Sequence, residues 1–450
     1  LGCGDSSGDI NDETEPLDTA DTGDTGNDAD TGSTDTEDGS DEEPTCLSNL
    51  DPTLADADAQ ALFDYDHVPT FDFYLSKADW EALKENAVDE QYTEADVCFD
   101  GVGIGTVGLR FKGSYGTLYQ CFDDQGNMIC PRLSMKLKFN EYVDDQRFFS
   151  LKHLTFNANR YDDSRMKERL AYDLYRSMGI VAPRAAWAVV RVNGESLGLY
   201  GMIEPVDGRF TANRWPDNPD ANLYKEAWPG DTGSALTSAL KTNEETAEVS
   251  GFTAFSDAMT AADEADLLST MGEFTDLDYW ARYMAVDEAV LSYDGITYFW
   301  TDGATTHNHN YYFYEDSPEH FTLIPWDVES TFWIDPEHAA PDWTVLPDDC
   351  STTYPYWGGL ATAAACNVVF RAMNTDRSAW RAAARELLDG PFALDTVLET
   401  IDRFTDFIGD EARSDATPTM YGSFDNAVAG LKNVIPQLRD RLEAMIAEEE

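Results

Sequence analysis

Three short stretches carry residue types that chemistry needs: Ser292-Tyr293-Asp294-Gly295, His309-Asn310-Tyr311-Tyr312-Phe313-Tyr314 and Ile324-Pro325-Trp326-Asp327-Val328-Glu329. They run acid, amide, acid, each beside apolar, strand-like residues. Phosphoryl transfer with a divalent metal needs such a set. One carboxylate orients the attacking hydroxyl, while an amide oxygen and a second carboxylate hold the cation that bridges the phosphates. The alternative, should the three not meet in space, is a surface-anchored binding protein.

The elements that would position them follow from patterning. Thr70 to Leu75 and Val102 to Phe111 alternate as strands, and Leu133 to Phe139 places Lys136 and Lys138 opposite Leu137 and Phe139. Gly103 to Gly108 matches GxGxxG by letters, but the chain continues as Leu109-Arg110-Phe111-Lys112-Gly113 with no helix start, so it reads as part of a strand. Asp163-Ser164 offers an N-cap for a helix over Arg165 to Met178. Its Met166, Leu170, Leu174 and Met178 face the core, and Glu168 lies on an adjoining face. Strands at Ala186 to Val192 and Leu197 to Glu204 are joined by the turn Asn193-Gly194. The stretch from Trp215 to Thr246 is loop-rich, and Ala254 to Leu291 and Ala379 to Ala447 are mostly helical by period and propensity.

At 450 residues with 42% hydrophobic and 12% aromatic content, the chain can bury a substantial core. The net charge of -56 repels a phosphate backbone, so nucleic acid is not an expected partner, whereas divalent cations or basic proteins are. Leu1-Gly2-Cys3 resembles the end of a bacterial lipoprotein signal, which makes Cys3 an expected lipid anchor to a membrane. Residues 4 to 45 are rich in Asp, Thr, Gly, Ser and Glu without Lys or Arg, a composition that cannot offset chain entropy. They read as a disordered stalk reaching on the order of 40 Å. Within it, Asp30-Thr31-Gly32-Ser33 matches the aspartic-protease letters but lacks the apolar strand such a site needs.

Cys46, Cys98, Cys121, Cys130, Cys350 and Cys366 form an even set, expected as disulfides in an exported protein. Cys121 and Cys130 flank a turn and should pair; Cys350 with Cys366 and Cys46 with Cys98 would then follow. Zinc is the rival use of these thiols, but no pair has close Cys-x-x-Cys spacing. His307 and His309 read as polar loop residues before they read as zinc ligands. The aromatic run Tyr311 to Tyr314 reads as strand packing before it reads as a carbohydrate platform, and no carboxylate pair shows a glycosidase spacing.

Taken in order over residues 68 to 335, several pieces resemble the CotH kinase family, spore-coat-type atypical protein kinases. They are Leu109-Arg110-Phe111-Lys112-Gly113-Ser114, Ser134 to Phe139, Arg165-Met166-Lys167-Glu168, Met178 to Arg184, Val192-Asn193-Gly194-Glu195, Gly198-Leu199-Tyr200 and Glu204 to Asp207. Tyr293-Asp294-Gly295, His309-Asn310-Tyr311 and Pro325-Trp326-Asp327 complete the series.

The resemblance implies an α+β, two-lobed, distantly protein-kinase-like fold with a β-rich N-terminal lobe and a helical C-terminal lobe. It implies ATP-dependent phosphorylation of protein Ser or Thr with Mg2+ or Mn2+. Lys136 then resembles the phosphate-contacting lysine and Glu168 its ion-pair partner, with Lys112 also near the nucleotide. Asp294 resembles the catalytic aspartate, and Asp327 the metal ligand, with Asn310 and Glu329 beside it. Backbone groups of Met202, Ile203 and Glu204 would face the adenine. This sequence departs from the family pattern in an apparent insertion over Tyr298 to Asn308 and in Glu329 where the family often has Asp. The domains expected are 1-45 (anchor and acidic linker), 46-210 (β-rich nucleotide-binding lobe) and 211-450 (mainly helical catalytic and metal-binding lobe). A monomer acting on surface or exported proteins is expected; a catalytically silent adhesin or coat-assembly protein of the same fold is the alternative.

Overall fold

A computed structural model of the chain describes residue 46 and residues 52–114, 118–335, 338–417 and 422–447. The Cys3 anchor, the acidic stretch 4–45 and Asp30-Thr31-Gly32 lie outside the described residues. The fold is mixed α and β.

Alternation becomes a closed seven-stranded barrel, in the order β1 (Thr70–Tyr74), β2 (Thr93–Phe99), β3 (Val102–Phe111), β4 (Met135–Lys138), β5 (His153–Asn157), β7 (Glu195–Ile203), β6 (Ala185–Val192). Closure comes from β1, which runs antiparallel to β2 and parallel to β6, so no strand edge of the barrel is left unpaired. Phe71, Phe73, Val97, Phe99, Leu109, Phe111, Met135, Leu137 and Phe156 fill the interior, each large side chain contributing about 1.5–3 kcal/mol on burial. Lys136 and Lys138 occupy the other face of β4. The GxGxxG letters lie inside β3. A Cβ at Gly108 would stand 2.8 Å from the Glu141 side chain and 2.9 Å from the Tyr92 ring, so this glycine serves close packing on the barrel wall. Asn193 and Gly194, both at positive φ (51° and 82°), turn β6 into β7 as the sequence predicts.

The helix after β5, α1 (Lys167–Ser177), starts two residues later than expected. Arg165 is left-handed at φ 60° and cannot be helical. Asp162 takes over the capping: its Oδ2 accepts from Lys167 N at 2.9 Å, and its Oδ1 from Ser164 N at 3.0 Å. The Met166, Leu170, Leu174, Met178 seam is buried in the second and larger core, which surrounds α2 (Leu277–Val290). Further helices follow: α3 (Ser378–Asp389), α4 (Leu394–Ser414) and α5 (Phe424–Ala447). This half is not purely helical. A sheet of β8 (Leu223–Lys225), β11 (Tyr311–Ser317) and β12 (His320–Pro325) packs into it. A second sheet, ordered β10-β9-β14-β13, consists of β9 (Phe299–Thr301), β10 (Thr306–His307), β13 (Thr353–Tyr356) and β14 (Gly359–Thr362). The apparent insertion Tyr298 to Asn308 is thus the β9–β10 hairpin.

Buried ion pairs join the parts. Asp415, just beyond α4, accepts from Arg132 Nη1 at 2.8 Å and from Leu199 N of β7 at 3.1 Å. Glu204, at the end of β7, is held by Arg184 and Arg214 at 2.6 Å each. Disulfides link Cys46–Cys98, Cys121–Cys130 and Cys350–Cys366, the mark of a protein folded in an oxidising compartment. Among the described residues no helix is long and apolar enough to cross a membrane.

Candidate active site

The β11–β12 hairpin brings the amide and the second acid together. Tyr311 pairs with Pro325, so the flanking residues meet at the hairpin's open end, where Trp326 N donates to Asn310 O at 3.0 Å and Asp327 follows. Asn310 (φ 64°) and Asp327 (φ 48°) are both left-handed, a conformation that Asn and Asp tolerate best after glycine. The Asp327 N–H donates to the Tyr172 hydroxyl at 3.0 Å, which ties it to α1 one turn beyond Glu168.

Asp294 lies in the turn after α2, which ends at left-handed Leu291 (φ 52°). Asn310 Nδ2 donates to Asp294 Oδ2 at 2.9 Å and to its carbonyl at 3.0 Å, while Trp300 Nε1 donates to Oδ1 at 3.2 Å. Burial, reinforced by the Asp327 charge and opposed by His309, pushes the Asp294 carboxyl up to about 6. Acid, amide and acid therefore share one site. Glu226, left-handed after β8, borders it: its Oε1 accepts from Asn310 N at 3.0 Å, and its Oε2 stands 3.5 Å from His309 Nδ1.

The barrel supplies the cation. Lys112, just past β3, donates to Asn157 Oδ1 at 3.3 Å and lies 5.8 Å from the Trp326 ring centre. Asn157 Nδ2 in turn donates to both Glu168 oxygens, at 3.0 and 2.9 Å. Burial first, then Asp327, raise Glu168 to about 8, against the pull of Asn157 and Lys112. Glu329 is raised well above its ordinary value by burial, Asp327 and Glu168. Asp162 and Asp327 thus act on both Glu168 and Glu329, and Glu168 on Glu329, with Lys112 as the opposing charge. A family model for CotH kinase protein matches residues 109–443, about three quarters of the chain.

This chain belongs to the CotH kinase protein family.

Among curated relatives, inner spore coat protein H of Bacillus subtilis is 24% identical over 212 residues, covering 43% of this chain and 54% of that protein. Spore coat protein homolog 1 of Rhizopus delemar is 25% identical over 197 residues, 39% of this chain and 30% of the relative. Invasin CotH2 of the same fungus is 20% identical over 299 residues, 61% and 46% respectively. The chain thus spans about half or less of the length of these relatives. A solved chain from the Shewanella oneidensis HipA–HipB toxin–antitoxin complex with operator DNA shares 9% identity, covers 70% of this chain and 65% of its own, and has a TM-score of 0.31, too low to assign a fold.

Within this CotH chain the expected site residues part company at two places. The lysine joined to Glu168 is Lys112, through Asn157. Lys136 instead pairs across the sheet with Arg110 and Thr155 and acts on His153, which burial and then Lys136 hold below its ordinary value. Met202 and Ile203 sit in ladders on both sides, with β5 and with β6, and their side chains are buried. Glu204 N donates to Arg184 O, and the Glu204 carboxylate is spent on two arginines. The side chains of these three residues thus serve the barrel and its ion pair. Among the described residues, no three His, Cys, Asp or Glu side chains come close enough to share a metal ion, and His309 turns to Glu226 with its ring edge-on to His307 at 4.8 Å. Asn157, Glu226 and Tyr172 escaped the sequence reading. Asn157 closes an alternating strand, which is a usable signal, whereas no spacing announces the other two.

Proposed function

We propose that this protein transfers the γ-phosphoryl group of ATP, with Mg2+ or Mn2+, to a Ser or Thr hydroxyl of a surface or exported protein. The observation that carries the reading is the convergence of Asp294, Asn310 and Asp327 beside the Lys112–Asn157–Glu168 chain. The barrel supplies the phosphate-facing lysine and the helical part the acid–amide–acid set, the division of labour of a distant protein-kinase-like fold in two lobes.

A divalent ion would draw on two carboxylates and an amide, since no three acidic, His or Cys side chains cluster among the described residues. Glu168 and Glu329 are raised by burial and by neighbouring carboxylates, and a cation relieves exactly that repulsion. Asp327, with Glu329, and the Oδ1 of Asn310, whose Nδ2 is given to Asp294, are the groups that would hold it. When bound, the ion neutralises charge that develops on the phosphate oxygens. Lys112 attracts the polyphosphate, and Asn157 fixes its ammonium against Glu168. Asp294, held by Asn310 and Trp300, accepts the hydroxyl proton; a carboxyl pushed up to about 6 is a stronger base than an ordinary aspartate and is still ionised at neutral pH.

Supporting an exported location are the three disulfides and the spore-coat and invasin names of the relatives. A lipid anchor at Cys3, a monomeric state and the absence of a nucleic-acid partner belong to the same proposal. The relatives' names also favour a second reading, a catalytically silent coat or adhesion protein. Incubation with labelled ATP and Mn2+ decides between them. Transfer that is lost in Asp294→Asn and Asp327→Asn supports the kinase, whereas a protein that binds neither nucleotide nor metal is the silent relative.

A further inference from the structure

The turn that carries Asp294 is held from behind by a residue with no part in the chemistry above. Asp287 lies in the last turn of α2 and is 2% exposed. Its Oδ1 accepts from the Tyr175 hydroxyl of α1 at 3.0 Å, and its Oδ2 accepts from Thr297 Oγ1, beyond the turn, at 3.4 Å. Its carbonyl accepts from Ser292 N at 3.2 Å, at the turn's start. A Cβ on Gly295, the neighbour of Asp294, would stand 3.2 Å from Asp287 Oδ1 and 2.7 Å from Ser292 Oγ. The carboxyl therefore fills the space under the turn, which is why a glycine follows Asp294. Tyr175 lies two turns beyond Glu168 on α1, its ring 5.1 Å from that of Tyr283 on α2. One side chain thus ties the helix of Glu168 to the turn of Asp294.

We infer that Asp287 is a positioning residue for Asp294, clamping the Ser292–Thr297 turn to α1 in its neutral form and releasing it when ionised. The neutral form follows from the surroundings. Among the described residues no Lys or Arg forms an ion pair with Asp287; its side-chain partners are two hydroxyls, each able to accept as well as donate, so a protonated carboxyl keeps both contacts with one of the two bonds reversed. The charged and titratable groups that face it are Glu288 and Tyr283 of α2, Tyr175 of α1, Tyr298 beyond the turn, and Arg441 of α5. Arg441 Nη1 is already given to Glu288 Oε2 at 2.7 Å. Burial and the Glu288 charge push the carboxyl up to about 8, against Tyr175, Thr297 and Arg441. Ionisation above that pH places a second charge beside Glu288 in a dry pocket, which the turn can relieve only by opening to water.

The inference rests on the kinase reading for its kinetic arm and is independent of it for its spectroscopic arm. On the full chain, phosphate transfer is followed from about pH 6 to about pH 9 for the wild type, Asp287→Asn and Asp287→Ala, with folding checked by circular dichroism. The alanine variant is expected to lose on the order of 10–100-fold in kcat, with KM for ATP little changed, the scale of a misplaced catalytic group. The asparagine variant, a neutral isostere, is expected to keep the wild-type rate at neutral pH and to lose the wild type's decline above about pH 8. In parallel, the protein is labelled with 5-fluorotryptophan and the Trp300 19F resonance is assigned by Trp300→Phe. Because Trp300 donates to Asp294, that resonance should shift near pH 8 in the wild type and stay still in Asp287→Asn. A resonance shift retained in Asp287→Asn, or no shift in the wild type, overturns the inference whether or not transfer occurs. A wild type that transfers no phosphate sinks the kinase reading alone.

Discussion

Glu204 and Glu168 are the same residue type at nearly the same depth, 1% and 3% exposed, yet the protein treats them in opposite ways. Burial pushes Glu204 up, but Arg214 and Arg184 overcome it and hold the carboxyl below its ordinary value. Glu168 has an amide and one lysine against neighbouring acids, and rises to about 8. The first is complete within the protein: a fastener joining the end of β7 to the start of β6 and to the helix that follows β7. The second is under-compensated: Lys112 acts on both Glu168 and Glu329, and His309 on Asp294, yet all three stay raised. A carboxylate held down by two arginines serves the fold, whereas several raised carboxylates gathered in one place mark a candidate site for a ligand.

The largest effect is expected at Glu204. Glu204→Gln leaves two arginines facing a neutral group in the interior, and the expected loss is about 3–5 kcal/mol in urea denaturation; a change within error would mean that the pair is ornamental. The pH dependence should then run in opposite directions at the two places. Glu204, lowered in the folded state, contributes stability that is present above its unfolded pKa and lost as pH falls through its folded one. Glu168 binds its proton more tightly when folded, so its contribution falls as pH rises from about 4.5 to about 8. In metal-free buffer, Glu168→Gln should therefore flatten the decline in melting temperature across that window, and an unchanged slope would show that Glu168 does not carry it. The smallest effect is expected at Asp327. Replacing it with Asn removes a repelling charge from Glu168 and Glu329, and should stabilise the metal-free protein by about 1 kcal/mol while removing phosphate transfer. A destabilised variant would place Asp327 with the structural carboxylates.

Much of the scaffold was legible because short-range rules decide it. The alternation at Val102 to Phe111 gives β3 at its observed ends, and Asn193-Gly194 gives the two-residue hairpin between β6 and β7. The turn between Cys121 and Cys130 gives their disulfide, and the other two pairings also stand as expected. The acid–amide–acid order was legible as a set because each member sits next to an apolar run, and hairpin pairing then brings Asn310 and Asp327 together.

The choice between Lys112 and Lys136 was not legible. Both leave the barrel wall, and only the curvature of the sheet and the place of α1 decide which meets Glu168. The pairing of the segment Met202 to Glu204 was not legible for a related reason: which backbone groups a closed barrel consumes depends on strands distant in sequence. The start of α1 shifted because Asp162 reaches forward five residues to Lys167 N, a contact that a left-handed Arg165 makes possible.

The Cys46–Cys98 bond has a mechanical meaning. Cys98 lies in β2, hydrogen-bonded on one flank to β1 opposite Asp72 and on the other to β3 opposite Gly103. Tension applied to the chain ahead of Cys46 is delivered covalently into a strand braced on both sides, and so bypasses the segment that follows Cys46.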